Sequence, residues 1–193
     1  MLRKIAVFLS MLLFAGAVIT PASFAADKYD VVSSEFFDPF NILGGGPVGY
    51  FVSLPTVTCP GHEPTGNPEQ PCPVGSRTHT RNAVWVSRVD SPDPNMSGWM
   101  TVVLNSNNDA SYSGPAWGTF SIALDSGGTW EGTWQGLRMA QGDYWTATLN
   151  VQGKGFGGSV DGMKMMATDE IISFTPVNLA YFGSIHARIV DSN

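Results

Sequence analysis

The chain has 193 residues, 22 of them glycine, and sets 10 Lys and Arg against 16 Asp and Glu for a formal net charge of −6. An acidic balance of this kind excludes nucleic acid and anionic membrane surfaces as partners, because both are held through basic side chains.

Met1-Leu2-Arg3-Lys4 is a basic opening, Ile5 to Ile19 is an apolar run broken by Thr20 and Pro21, and Ser23-Phe24-Ala25 is a small-x-small site. This is the pattern of a secretory signal peptide over residues 1–25, cut after Ala25. The apolar run falls short of the roughly 20 residues a membrane-spanning helix needs. No cysteine lies near the cut to carry a lipid, and no later stretch is long and apolar enough to cross a membrane as a helix. The mature chain, residues 26–193, keeps 8 basic against 16 acidic side chains. Its length suits one domain with a core of its own. The expected location is the bacterial periplasm or the outside of the cell.

Residues 26–82 read as an irregular N-terminal part. Tyr29 to Val32 and Tyr50 to Leu54 are short strand candidates, Asp38-Pro39 is a turn between Phe36-Phe37 and Phe40, and Gly44-Gly45-Gly46-Pro47 is a tight turn. The glycine run lacks the Lys-Ser/Thr ending and the strand–helix context of a phosphate loop. Cys59 and Cys72 bound a segment rich in Pro and Gly. A disulfide between them closes a 14-residue loop, which on the chain-entropy account stabilises by about 3 kcal/mol. The competing reading, a metal held by both thiols with His62 and His79, needs free thiolates that an oxidising compartment disfavours.

From Asn82 the chain turns strand-like. Candidates run over Ala83–Val89, Trp99–Leu104, Trp117–Leu124, Thr129–Arg138, Tyr144–Val151, Phe156 to about Met166, and Tyr181 or Ser184 to Val190. Turn clusters separate them at Ser91–Asn95, Asn105–Asp109, Asp125–Gly128, Gln141–Asp143 and Gly153–Gly155. Phe120, Ile122 and Leu124 share one face of their strand, as do Trp145, Ala147, Leu149 and Val151 of theirs. The fold expected is all-β, a single antiparallel and mostly meander β-barrel of about eight strands over residues 83–193, with a β-sandwich as the alternative. Closure is preferred because it removes exposed edges.

In Gly128-Thr129-Trp130-Glu131-Gly132-Thr133-Trp134-Gln135-Gly136, period 2 puts Trp130, Gly132, Trp134 and Gly136 on one face. Rings beside absent side chains are either a packing device or an aromatic platform for a ligand or partner. If that face lines a cavity, Trp130, Trp134, Arg138 and Tyr144 are the candidate ligand-binding residues. This run, with Gly153-Lys154-Gly155-Phe156-Gly157-Gly158-Ser159-Val160-Asp161-Gly162-Met163-Lys164 and Tyr181-Phe182-Gly183-Ser184-Ile185, resembles small bacterial proteins with an allene oxide cyclase-like β-barrel. The likeness spans Trp117 to Ile189. It implies a closed barrel, and by analogy with the plant cyclases of that group an apolar substrate held inside. It transfers no functional residue, and the Cys59–Cys72 segment stands outside its pattern.

No catalytic set is visible. His186 shares a strand face with Arg188 but has no orienting carboxylate or nucleophile in the sequence pattern. Asp90, Asp93 and Asn95 form an oxygen-rich turn without the ligand count of a calcium loop. Glu131 and Asp161 are read as strand residues opposite Trp130 and Phe156, facing water, and Met163–Met166 as core. No metal site and no cofactor is expected. Three functions follow: an exported barrel binding a small apolar or glycan-like ligand, a cyclase or isomerase acting on an apolar substrate in the barrel, and a structural or interaction module. Monomer and homodimer both stay open.

Overall fold

The computed structural model describes residues 27–67, 71–173 and 180–191. The signal peptide expected over residues 1–25 lies outside them. The described residues form ten strands: β1 Lys28–Phe37, β2 Tyr50–Ser53, β3 Thr56–Thr58, β4 Thr78–Asp90, β5 Gly98–Asn108, β6 Gly114–Leu124, β7 Thr129–Gln141, β8 Tyr144–Phe156, β9 Lys164–Ser173 and β10 Tyr181–Val190. All pairings are antiparallel, and the order β1-β10-β9-β8-β7-β6-β5-β4 closes when β1 returns to β4. Eight strands therefore ring round a single core, barrel-like in closure rather than a sandwich of two sheets. The ring is uneven. Seven junctions carry nine or more paired positions each, whereas β1 meets β4 only at Ser34–Asp90, Glu35–Val89 and Phe36–Arg88. Above this seam β2 and β3 take over the free edge of β4.

Side-chain alternation decides what faces in. Val31, Ser33, Glu35 and Phe37 of β1 are buried while Val32 is exposed, and the same alternation runs through β6, β8, β9 and β10. The Trp/Gly pattern of β7 is solved by cross-strand complementarity. Trp134 pairs with Gly118, and Phe120 pairs with Gly132, which in turn pairs with Gly153. A Cβ on Gly132 would lie 2.6 Å from the Phe120 ring, and one on Gly118 would lie 3.0 Å from Trp134. The glycines are the room into which the rings of neighbouring strands fold.

One end of the ring is closed by Trp130, Met96 and Val160, all fully buried, with the Trp130 indole donating to the Asn95 carbonyl at 2.7 Å. Val160 arrives on a 3-10 turn, Gly158–Val160. This corrects the strand expected from Phe156 to Met166. Gly157 and Gly158 adopt φ of +66° and +58°, which ends β8 at Phe156 and lets the chain fold across the barrel end. Asp161 thus sits in a turn, accepting the Gly157 amide at 2.9 Å, and Phe156 points outward. Met165 and Met166 alternate inside and outside, as strand residues do. The N-terminal part is also more ordered than its composition suggests, since β1 is a full member of the ring. Cys59 and Cys72 are joined by a disulfide, which uses up the thiols that the metal reading required. Among the described residues no helix is long and apolar enough to cross a membrane.

Candidate functional site

The sequence candidates separate across the wall. Trp130 and Trp134 are inside, 0% and 6% exposed, with both indole N–H groups donated to backbone carbonyls. Arg138 is also inside, near the opposite end, its guanidinium 4.8 Å from the centre of the Trp145 ring. Burial alone pulls Arg138 down to about 10. Tyr144 is outside, exposed at the β7–β8 hairpin and bonded to Gln141 at 2.8 Å. The four do not converge on a common space. Around the two tryptophans the interior is filled by Phe120, Ile122, Leu149 and Met165. Glu131 and His186 both face outward.

The interior does hold a polar group that the sequence reading passed over. Glu35 on β1, 1% exposed, accepts hydrogen bonds from the Tyr181 hydroxyl on β10 and from Ser87 Oγ on β4 at 2.7 Å. Trp85 Nε1 donates to the Tyr181 hydroxyl at 2.7 Å. Asp169 on β9, 4% exposed, shares a side-chain hydrogen bond with Glu35. Burial raises the Glu35 carboxyl above its ordinary range, while the bonds from Tyr181, Ser87 and Asp169 pull the other way. Asp169 is pushed well above the carboxylate range, first by burial and then by the Glu35 charge. Burial thus favours retaining a proton within this carboxyl pair. Burial and Glu35 together also raise Tyr181 well above its usual value.

The signal for this network lay in the alternation. Ser33, Glu35 and Phe37 continue the inward set begun by Val31, and Asp169 stands between Ala167 and Ile171 on the same face of β9. A strand expected to end at about Met166 left Asp169 out of the wall, whereas β9 runs on to Ser173. The network spans four adjacent strands in the order β4-β1-β10-β9 and ties together both sides of the three-residue seam.

Outside the wall, two depressions of about 330 and 520 Å³ adjoin at Asn150. They follow one line of directly paired residues across six strands: Trp117, Gln135, Asn150, Thr168, His186 and Val32. The Arg81 guanidinium lies 5.2 Å from the centre of the Trp117 ring. No protein family, curated protein or solved structure matches this chain. Among the described residues no cluster of three or more His, Cys, Asp or Glu is placed to hold a metal ion.

Proposed function

We propose that the protein is an exported binding module that meets a glycan-like ligand on the outside of a filled barrel. The observation that carries this reading is the burial of Trp130 and Trp134 in a packed interior with their N–H groups already spent on backbone carbonyls. A pocket for an apolar ligand needs concave apolar space, and these rings fill theirs. The packed interior also favours binding over a cyclase or isomerase, whose substrate would need room beside Glu35 and Asp169. Open concave space lies on the outer wall, where Gln135, Asn150, Gln152 and Thr168 offer amides and a hydroxyl among Trp117 and smaller apolar side chains. Export is supported by the Cys59–Cys72 disulfide, a bond that persists in oxidising compartments.

The test offers the folded protein two probes, insoluble cell-wall polysaccharide and a fluorescent fatty acid. Co-sedimentation with the polysaccharide, with no uptake of the fatty acid, is the expected result. Saturable one-to-one uptake of the fatty acid would overturn the reading and place function inside the barrel.

A further inference from the structure

We infer that the line Trp117–Gln135–Asn150–Thr168–His186 is a binding site for an uncharged oligosaccharide laid across β6 to β10. The inference rests on the reading that the outer wall does the binding. Its basis is register. Trp117 pairs with Gln135, Gln135 with Asn150, Asn150 with Thr168, and Thr168 with His186. Directly paired residues on one face of a sheet stand side by side. Four strand spacings of about 4.8 Å make this a track of roughly 19 Å, a length that suits several linked sugar rings rather than one.

The chemistry of the track is that of sugar recognition. Gln135 and Asn150 are exposed, and neither side-chain amide has a hydrogen-bond partner among the described residues. Each amide offers donors and an acceptor, which matches vicinal hydroxyls that both give and take hydrogen bonds. The adjacent row adds Thr119, Thr133 and Gln152, again uncharged and again directly paired. At one end Trp117 is 36% exposed and lines the smaller depression. An aromatic face carries partial negative charge, so it accepts the polarised C–H face of a sugar ring.

Charge complementarity selects a neutral ligand. The Arg188 guanidinium, which borders the larger depression, is taken by Asp30 at 2.9 Å. Arg81, beside Trp117, is spent on the Thr80 and Ser106 carbonyls and on Asn107 Oδ1, each at 2.7 Å. No uncommitted cation on the track is left to attract a uronate or phosphate, and the chain as a whole is acidic.

The experiment is an amide and indole NMR titration of the ¹⁵N-labelled folded protein with three linear probes: a neutral glucan hexamer, an N-acetylglucosamine hexamer and an oligogalacturonate of the same length. Expected are shifts of the Trp117 indole N–H and of the Gln135 and Asn150 side-chain amides with at least one neutral probe, and weaker binding of the oligogalacturonate. Trp117→Ala should weaken binding at least tenfold and Asn150→Ala severalfold. Both residues face outward, so cooperative thermal unfolding within a few degrees of wild type will show that the variants are folded. Binding of a neutral probe with shifts elsewhere on the wall, or unaffected by Trp117→Ala, overturns this site and leaves outer-wall binding standing. Shifts confined to Trp145, Tyr181 and their interior neighbours overturn both. Preference for the oligogalacturonate overturns the neutral-ligand assignment, and no binding of any of the three overturns the oligosaccharide site itself.

Discussion

Glu35 on β1 and Asp169 on β9 are separated by a whole strand, and they meet because Gly183 of β10 has no side chain between them. Glu35 pairs directly with Gly183, and Asp169 pairs with Ile185, the next inward residue of β10. A Cβ on Gly183 would stand 2.8 Å from Asp169 Oδ1 and 3.1 Å from Glu35 Cβ. The carboxyls thus bridge β10 over its one bare position, in the interior of the barrel.

Gly183→Ala should therefore be destabilising even though Gly183 lies in regular strand. Neither carboxyl can swing aside without losing a buried hydrogen bond. Overpacking of this kind costs about 1–3 kcal/mol. Urea unfolding of the variant against wild type is the check, and a loss below about 0.5 kcal/mol would show that the pair has slack.

Stability should fall as pH rises above about 4. Unfolded, both carboxyls ionise near 4. Folded, both are held above that, Asp169 the more strongly. The native state thus binds more protons, and the stability fully present below the unfolded values is lost as pH climbs through the folded ones. Each extra proton gives a slope of about 1.4 kcal/mol per pH unit. Arg188 and Arg88 hold Asp30 and Asp125 below the usual range, an effect that fades only in acid, so a urea series from pH 5 to 9 isolates the interior pair. Glu35→Gln removes the charge that helps raise Asp169 and should flatten the slope. A flat wild-type profile would mean that the pair ionises freely.

Two tryptophans should respond in opposite ways. Trp130 closes one end of the barrel, fully buried, and Trp130→Ala should cost about 3–5 kcal/mol. Trp117 stands on the outer wall with Arg81 beside it, and Trp117→Ala should cost under about 1 kcal/mol. Equal losses in denaturant melts would contradict this assignment of inside and outside.

Protein recovered from its own host should begin at Ala26 and weigh two hydrogens less than the reduced chain. Intact mass spectrometry before and after reduction reads both. Cys59 follows directly after β3, which pairs with β4 at the edge of the ring. Cys59→Ser with Cys72→Ser should then cost no more than about 3 kcal/mol, with the new protease cuts concentrated near the loop. An uncut leader would remove the export reading.

Much of the wall was legible in advance because strands announce themselves by alternation and by the turns between them. Phe120, Ile122 and Leu124 of β6, and Trp145, Ala147, Leu149 and Val151 of β8, form inward sets as their spacing predicts. Reading failed where a local signal has two solutions. Gly157-Gly158 continues a strand as readily as it breaks one, and only Val160 seating in the barrel end decides for the break. Ser33 and Glu35 look like the polar end of a short strand until β4, β9 and β10 surround them.

Period and composition, which are properties of neighbouring residues, determined by themselves that this is an antiparallel all-β chain with tryptophans and glycines sharing one strand face and two cysteines close enough in sequence to close one loop. Pairing between distant strands decided the rest. It set Trp134 over Gly118, brought Glu35 to Asp169 across 134 positions of sequence, and aligned Trp117 with Gln135 and Asn150 on the outer wall. Register is a relation between segments far apart along the chain, fixed by which side chains fill the shared interior, and no single stretch of sequence contains it.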